Sequence, residues 1–242
     1  HYFWRPQAIG RKSDPDKPSR PWGHWKDKLE SQETPLNHIL DFLFHIAPQE
    51  LLDKSVSALL GRTITNLQLV APTEGTLDAH VVQPDIIVSN GKSLVFVEMK
   101  VDSQSSVDQF AKYAIAANCI IQYEPQITSV DLVVLSRHKD HNKVWKKANK
   151  LGLSSEGAIR KLAIRGVVED DTIWCEQGVQ RHLKTNPADV TLLTKQIESM
   201  GLHLTDYETL EMALKDYASQ EKAVGRLVEG VLKELERRNL VS

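Results

Sequence analysis

The dipeptide Asn90-Gly91 separates two segments rich in valine and isoleucine, and it limits the fold of this chain more than any other feature. Asn-Gly favours the tight turn that joins antiparallel strands, because both residues accept the positive φ angles that this turn requires. The flanking residues 79–89 and 92–101 are therefore predicted to form a β-hairpin.

The length of the turn predicts which residues face each other. A loop of two residues would pair Ser89 with Lys92 and would place Asp85 opposite Phe96. Directly paired residues point to the same face of a sheet, and so do residues two apart along a strand. One face of the hairpin is therefore predicted to carry Asp85, Phe96, Glu98 and Lys100.

This face combines charges with a buried position. In the predicted register Asp85 and Glu98 are diagonal neighbours, with Cα atoms about 7–8 Å apart. Charged side chains are rarely held on a sandwiched strand unless they are paired or bound to a metal, so the pattern predicts a cation site. The opposite face is wholly apolar and predicted to be buried: Pro84, Ile86, Val88, Val95, Val97 and Met99.

The surrounding segments predict an α/β fold. Apolar residues repeat at helical spacing from residue 36 to 60 and again over 105–122, while residues 64–70 alternate as in a strand. Residues 130–136 form a nearly continuous apolar run, which is typical of a strand covered on both faces. The order of helix, three strands, helix and strand implies a mixed sheet with a covering helix. Beyond it, residues 161–168 are predicted to form a strand, and the remaining C-terminal part is predicted to be mostly helical.

These residues resemble the signature of a known family. Pro84-Asp85, followed after a gap of twelve residues by Glu98-Met99-Lys100, is similar to the motif of the PD-(D/E)XK nucleases, the restriction-endonuclease-like superfamily. The next predicted helix carries Gln109 and Tyr113, which looks like the Gln-x-x-x-Tyr motif of the RecB-type branch. The resemblance covers residues 36–136, and it implies an αβββαβ core with a mixed central sheet.

The resemblance also implies an activity, the hydrolysis of phosphodiester bonds in DNA with Mg²⁺ or Mn²⁺. Asp85 and Glu98 would bind the cation, and Lys100 would orient the attacking water and stabilise the charge that develops in the transition state. Gln109 would reach the site from its helix, and Tyr113 would support it or contact the nucleic acid. Two alternatives stay open: an RNase of the same fold, and a non-catalytic nucleic-acid-binding or assembly module.

Many members of the family add an acid or a histidine from the first helix. The candidates in this sequence are His38, His45, Glu50 and Asp53. No spacing argument separates them, although a hard cation favours the carboxylates.

Two stretches are candidates for contact with nucleic acid. Residues 137–165 hold nine basic residues against two acidic ones, which predicts a surface that contacts phosphates through Lys143, Lys146 and Lys147. Residues 1–35 form a predicted arm that is basic and contains three tryptophans. Such an arm could lie along a phosphate backbone, or it could be an ordinary surface segment.

The overall composition limits the classes of protein to which this chain can belong. The chain has 242 residues, is 41% hydrophobic and has a net charge of −2, so any basic surface must be local. No apolar run approaches the roughly 18 residues that a membrane helix needs, and the two cysteines form no metal or redox motif. The default expectation is a cytoplasmic protein.

The chain is predicted to divide into the arm of residues 1–35, a nuclease core of residues 36–170 and a mostly helical extension of residues 171–242. An apolar stripe between Val224 and Leu235 is expected to pack on the core. The same stripe leaves a homodimer or a larger assembly open.

Overall fold

The computed structural model describes residues 33–70, 82, 84–101, 103–151, 154–169, 177–185, 189–221 and 223–241. The strands within these ranges are β1 (Gln68–Leu69), β2 (Ile86–Ser89), β3 (Ser93–Met99), β4 (Ser129–Ser136) and β5 (Gly201–Asp206). The helices are α1 (Glu33–Ile46), α2 (Gln49–Leu60), α3 (Val107–Tyr123), α4 (His141–Val144), α5 (Ala148–Leu151), α6 (Glu156–Val168), α7 (Gln177–Thr185), α8 (Asp189–Ser199), α9 (Tyr207–Gln220) and α10 (Gly225–Arg237).

The fold is α/β, and its strands form one mixed sheet in the order β1-β2-β3-β4-β5. The pairs β1–β2 and β2–β3 are antiparallel, whereas β3–β4 and β4–β5 are parallel. Helix α3 connects the parallel strands β3 and β4. The predicted order of helix, three strands, helix and strand is therefore confirmed, with α1 and α2 both preceding the first strand.

The sheet is covered on both faces, as alternation along the strands requires. One face packs against α3, α6 and α8 through a core that includes Ile87 and Phe96. The other face packs against α1, α2, α9 and α10. Five of the six residues of the apolar face predicted for the hairpin are buried in this second core, with Ile86, Val88, Val95, Val97 and Met99 each less than 5% exposed, whereas Pro84 is half-buried. The predicted packing of the C-terminal apolar stripe on the core is also confirmed, because Val224, Val228, Val231 and Leu235 lie in it.

The hairpin is present, but its predicted register is wrong. Ser89 pairs with Leu94 instead of Lys92, and Ile87 takes the place opposite Phe96 that was predicted for Asp85. The physical reason lies in the turn.

The Asn90 side chain accepts hydrogen bonds from the backbone N–H groups of Lys92 and Ser93, at 3.1 and 2.8 Å. These bonds hold two more residues in the loop than a two-residue turn would, and Gly91 has a φ of 81°. The register is shifted by two residues. Because the side-chain period of a strand is also two, every side chain keeps its predicted face.

The predicted strand at 161–168 is a second error, because these residues belong to helix α6. Ser155 caps the helix by accepting a hydrogen bond from the Ala158 N–H at 3.3 Å. The buried residues Ile159, Ala163 and Val167 recur every four positions. This helical period outweighs the short apolar run that suggested a strand.

Strand β5 was not predicted, and it pairs with β4 along Gly201–Asp206. It comes from beyond residue 170, where the core was predicted to end, yet it adds an edge to the core sheet. The boundary itself stays a prediction. The strand predicted at 64–70 is reduced to Gln68–Leu69, and most of residues 79–85 lie outside the described ranges.

A cluster of charged side chains connects β5 and the segment after α2 to strand β4. The buried Asp131 of β4 binds Arg62 Nη2 at 2.5 Å and His203 Nε2 at 2.8 Å. A Cβ atom at Gly201 would overlap this carboxylate, which explains a glycine at the start of β5. Burial acts to raise the pKa of Asp131, but the hydrogen bonds from His203 and Arg62 and their charges outweigh it, so the pKa is lowered.

We expect Asp131→Asn to lower the free energy of unfolding by about 1–3 kcal/mol at pH 7, because the variant loses hydrogen bonds to a charged acceptor. The stabilisation by the ionised carboxylate is complete above the pKa of an unfolded aspartate, about 4. It is lost as the pH falls through the lower pKa of the folded state. Urea unfolding at pH 7 and pH 3 measures both effects. The exposed Asp216, which pairs with Lys54, is the control, since Asp216→Asn should change stability by less than about 0.5 kcal/mol. If the difference in the free energy of unfolding between wild type and Asp131→Asn did not become smaller at pH 3, the ionised Asp131 carboxylate would not be the source of the stabilisation.

Within the described ranges, no helix has the length and apolar character needed to cross a membrane.

Candidate active site

Asp85 and Glu98 face each other at one end of the hairpin. The last pair of the β2–β3 ladder joins Ile86 to Val97, so the next residue on each chain segment is Asp85 on one side and Glu98 on the other. The corrected register therefore places the two acids side by side, closer than the diagonal arrangement predicted from the sequence. Glu98 lies on the face that α3 covers, and Asp85 is contacted by Asn37 of α1.

The Asp85 carboxylate is fixed by two donors. Its Oδ2 accepts a hydrogen bond from the Met99 N–H at 2.7 Å, and its Oδ1 accepts one from Asn37 Nδ2. Because β2 begins only at Ile86, the Asp85 side chain satisfies a backbone donor of β3 where the ladder has ended. The orientation of this carboxylate is thus tied to the sheet itself.

Glu98 is buried, with 5% of its surface exposed, and three donors surround its carboxylate. Oε1 accepts a hydrogen bond from Gln109 Nε2 and lies 2.5 Å from Lys100 Nζ. Oε2 accepts a hydrogen bond from the hydroxyl of Tyr113. Several donors on one carboxylate offset the cost of burying its charge.

Helix α3 brings Gln109 and Tyr113 to Glu98 together, because residues four apart lie on the same face of a helix. The Tyr113 ring packs against Phe96 at 5.2 Å between centroids, and its side chain is fully buried. Burial raises the pKa of Tyr113 well above its usual value, and the negative charges of Glu98 and Asp85 and the hydrogen bond to Glu98 raise it further. The phenol therefore stays protonated and acts as a donor.

This position changes one expectation. Tyr113 was assigned either to support of the site or to contact with nucleic acid. Its burial places the ring behind Glu98, away from any surface that could meet a nucleic acid, so support of Glu98 is the role that fits.

None of the four residues proposed from the first helix reaches the acids. His45 is exposed beside Asp41, and Asp53 accepts backbone N–H groups of the loop after α2, at 2.8 and 2.9 Å. His38 lies in a groove beside Leu227, and Glu50 is exposed at the start of α2.

The residue that does reach the site from α1 is Asn37. It lies between the buried Leu36 and Leu40, at the margin of the apolar face of the helix. A polar residue at that margin was the available sequence signal. Asn37 was not among the candidates because the family resemblance implies an acid or a histidine from this helix.

The donor set fits a hard divalent cation. The carboxylates of Asp85 and Glu98 supply oxygen ligands, and Asn37, whose Nδ2 group contacts Asp85, has a buried Oδ1 atom without a hydrogen-bond partner. Such cations take oxygen ligands and keep several waters or phosphate oxygens. Among the described residues, no group of three or more His, Cys, Asp or Glu side chains could hold a metal ion. Protein ligands would therefore be Asp85 and Glu98, supplemented by uncharged oxygens.

Part of the predicted basic surface is bound to the segment between β3 and α3. Lys143 at the end of α4 and Lys146 and Lys147 in the loop that follows are exposed, and the buried Trp145 anchors this loop. The loop is bound on both sides to Ser105, whose N–H donates to Val144 O and whose carbonyl accepts from the Lys146 N–H, each at 2.9 Å.

Ser105 belongs to the segment that links Lys100 to Gln109, so the loop of these lysines is attached to the segment that carries two residues of the candidate site. Several other basic residues of the stretch bind groups of the protein itself: Arg137, Lys139, Arg160 and Arg165. The predicted arm of residues 1–35 lies outside the described residues, apart from the three that begin α1.

The chain matches no model of a known protein family, and neither a curated protein nor a solved structure matches it.

Proposed function

We propose that this protein is a nuclease of the PD-(D/E)XK type that hydrolyses phosphodiester bonds in DNA with Mg²⁺ or Mn²⁺. The observation that carries the proposal is the position of Asp85 and Glu98 one residue beyond the last β2–β3 pair, with Lys100 and Gln109 held against Glu98. The element order around this site, with α1 and α2 first and α3 between β3 and β4, is compatible with the core that the sequence resemblance implies.

Each residue of such a site would have a separate role. Asp85 and Glu98 would hold the cation, which when bound would lower the pKa of a water and offset charge on the phosphoryl and leaving oxygens. The Met99 N–H and the Tyr113 hydroxyl keep the two carboxylates in fixed orientations. Lys100, whose ammonium group lies 2.5 Å from Glu98 Oε1, would stabilise the negative charge that develops on the phosphoryl oxygens. Gln109 fixes the position of Glu98 Oε1.

The proposal is tested by incubating the protein with single- and double-stranded DNA and RNA, with Mg²⁺, with Mn²⁺ and with EDTA. Cleavage of DNA that requires the cation is the expected result. Cleavage of RNA alone would assign the site to an RNase of the same fold. Binding without cleavage of any substrate would favour the non-catalytic module and overturn the proposal.

The basic loop leads to a separate prediction. Replacing Lys146 and Lys147 by glutamate should weaken DNA binding and flatten its dependence on salt, because two phosphate contacts are lost. The slope of log affinity against log salt should fall by about 2, since each phosphate contact contributes about 0.9. Fluorescence anisotropy between 50 and 200 mM salt measures this slope.

Lys161 provides the matched control, because it is exposed in the same basic stretch but lies on α6. Lys161→Glu should leave the slope nearly unchanged. Equal slopes for the loop variant and the wild type would move the phosphate-binding surface elsewhere on the protein.

A further inference from the structure

The amide of Asn37 has one satisfied end and one unsatisfied end. Its Nδ2 group donates to Asp85 Oδ1, while its Oδ1 atom is buried and has no hydrogen-bond partner among the described residues. A buried amide oxygen without a partner costs free energy, and native proteins rarely leave one in that state. The unsatisfied oxygen therefore indicates that the amide has a second state.

That second state follows from the shape of the side chain. A half-turn about the Cβ–Cγ bond exchanges the positions of the amide nitrogen and oxygen, which are nearly isosteric. After this turn, Asn37 Oδ1 would stand next to Asp85 Oδ1. Two adjacent oxygens repel each other unless a proton or a cation lies between them.

The net charge of the proposed ligands also favours an uncharged third ligand. Asp85 and Glu98 carry two negative charges, which one divalent cation balances. A neutral third ligand keeps that balance, and the ammonium of Lys100 then gives the site a positive charge toward a phosphodiester. A third carboxylate would cancel that positive charge and weaken attraction of the anionic substrate.

We propose that Asn37 is an uncharged oxygen ligand of the cation, and that it holds Asp85 through Nδ2 when no cation is bound. This inference rests on the proposed metal site. It adds Asn37 as a third ligand, a rotated state of the Asn37 amide when the cation is bound, and a neutral charge for that ligand. Helix α1 supplies the ligand, and the buried Leu36 and Leu40 fix the rotation of the helix that places it there.

The experiment is a calorimetric titration of the protein with Mn²⁺ alone, so that its result does not depend on catalysis. Asn37→Leu keeps the size of the side chain and removes both the donor and the acceptor. Its Mn²⁺ affinity should fall by about 10–100-fold, the usual effect of removing a group that supports a metal site. Asn37→Asp should bind Mn²⁺ at least as tightly as the wild type at pH 8, because it adds a ligand charge.

Asn37→Asp also has a readout that a merely structural role would not change. Its affinity should fall more steeply than that of the wild type as the pH is lowered from 6 to 4, since a further carboxyl group, with a usual pKa of about 4, must lose its proton. Circular dichroism shows whether each variant folds. If Asn37→Leu does not fold, Asn37→Asp carries the test, and weaker binding by that variant at pH 8 would overturn the proposal.

Asp85→Asn distinguishes failure of this inference from failure of the site as a whole. Wild-type affinity in Asn37→Leu together with lost affinity in Asp85→Asn would restrict Asn37 to holding Asp85, and the inference would be overturned. Wild-type affinity in both variants would overturn the metal site and the proposed function with it.

Discussion

Replacing Lys100 by alanine is expected to lower the rate of phosphodiester cleavage by roughly 10²–10³, the usual loss when one preorganised donor to developing charge is removed. The ammonium group lies 2.5 Å from Glu98 Oε1, and the side chain is only 12% exposed, so its position is fixed before substrate arrives. Because the interaction matters mainly in the transition state, the loss should appear in the chemical step. Single-turnover kinetics isolates that step.

The same variant should keep its cation site and its affinity for DNA. Glu98 retains the hydrogen bonds from Gln109 and Tyr113, so its carboxylate stays anchored without Lys100. Lys100→Arg should restore little activity, since a planar guanidinium does not fit the place of a compact ammonium. If wild type and Lys100→Ala cleaved at equal rates, Lys100 would have no part in the chemistry.

Replacing either acid should remove cation binding itself. Asp85→Asn and Glu98→Gln keep the size of the side chain and remove a ligand charge, so the Mn²⁺ affinity should fall by roughly 10²-fold or more and cleavage should fall with it. The two variants should give similar losses, because the acids face each other and would share one cation. Calorimetry with Mn²⁺ and a cleavage assay on the same samples measure both effects.

Asp131→Asn is the matched control for this pair. Asp131 is also a buried acid of the central sheet, but it pairs with Val95 and lies on the opposite face. That variant should lose stability and keep its Mn²⁺ affinity. Retained affinity in Asp85→Asn and Glu98→Gln would show that the acids hold no cation.

Local patterns in the sequence were enough to predict a hairpin with a buried apolar face. The alternation of Val and Ile with Asp85, Phe96 and Glu98 has a period of two, and this period survives any shift of the register by an even number. The pairing of Gln109 with Tyr113 was also readable, because four residues form nearly one helical turn. These features depend on neighbours close in the chain.

The errors came from competing local signals. The Asn90 side chain closed a wider loop than the Asn-Gly dipeptide suggested, and the register moved by two. Residues 161–168 contain a short apolar run, and the helical repeat from Ile159 to Val167 became clear only with the buried face in view. Short apolar segments fit either structure, and packing decides between them.

The sequence by itself determined the hairpin, its buried face and the shared helix face of Gln109 and Tyr113, because strand and helix periods are properties of short segments. Only the tertiary structure decided that β5 joins the sheet, that Asn37 approaches Asp85 over 48 positions of the chain, and that the loop of Lys146 lies beside Ser105. Contacts of this kind depend on how helices dock on a finished sheet, and a periodic pattern shows that a face is buried without showing which partner covers it.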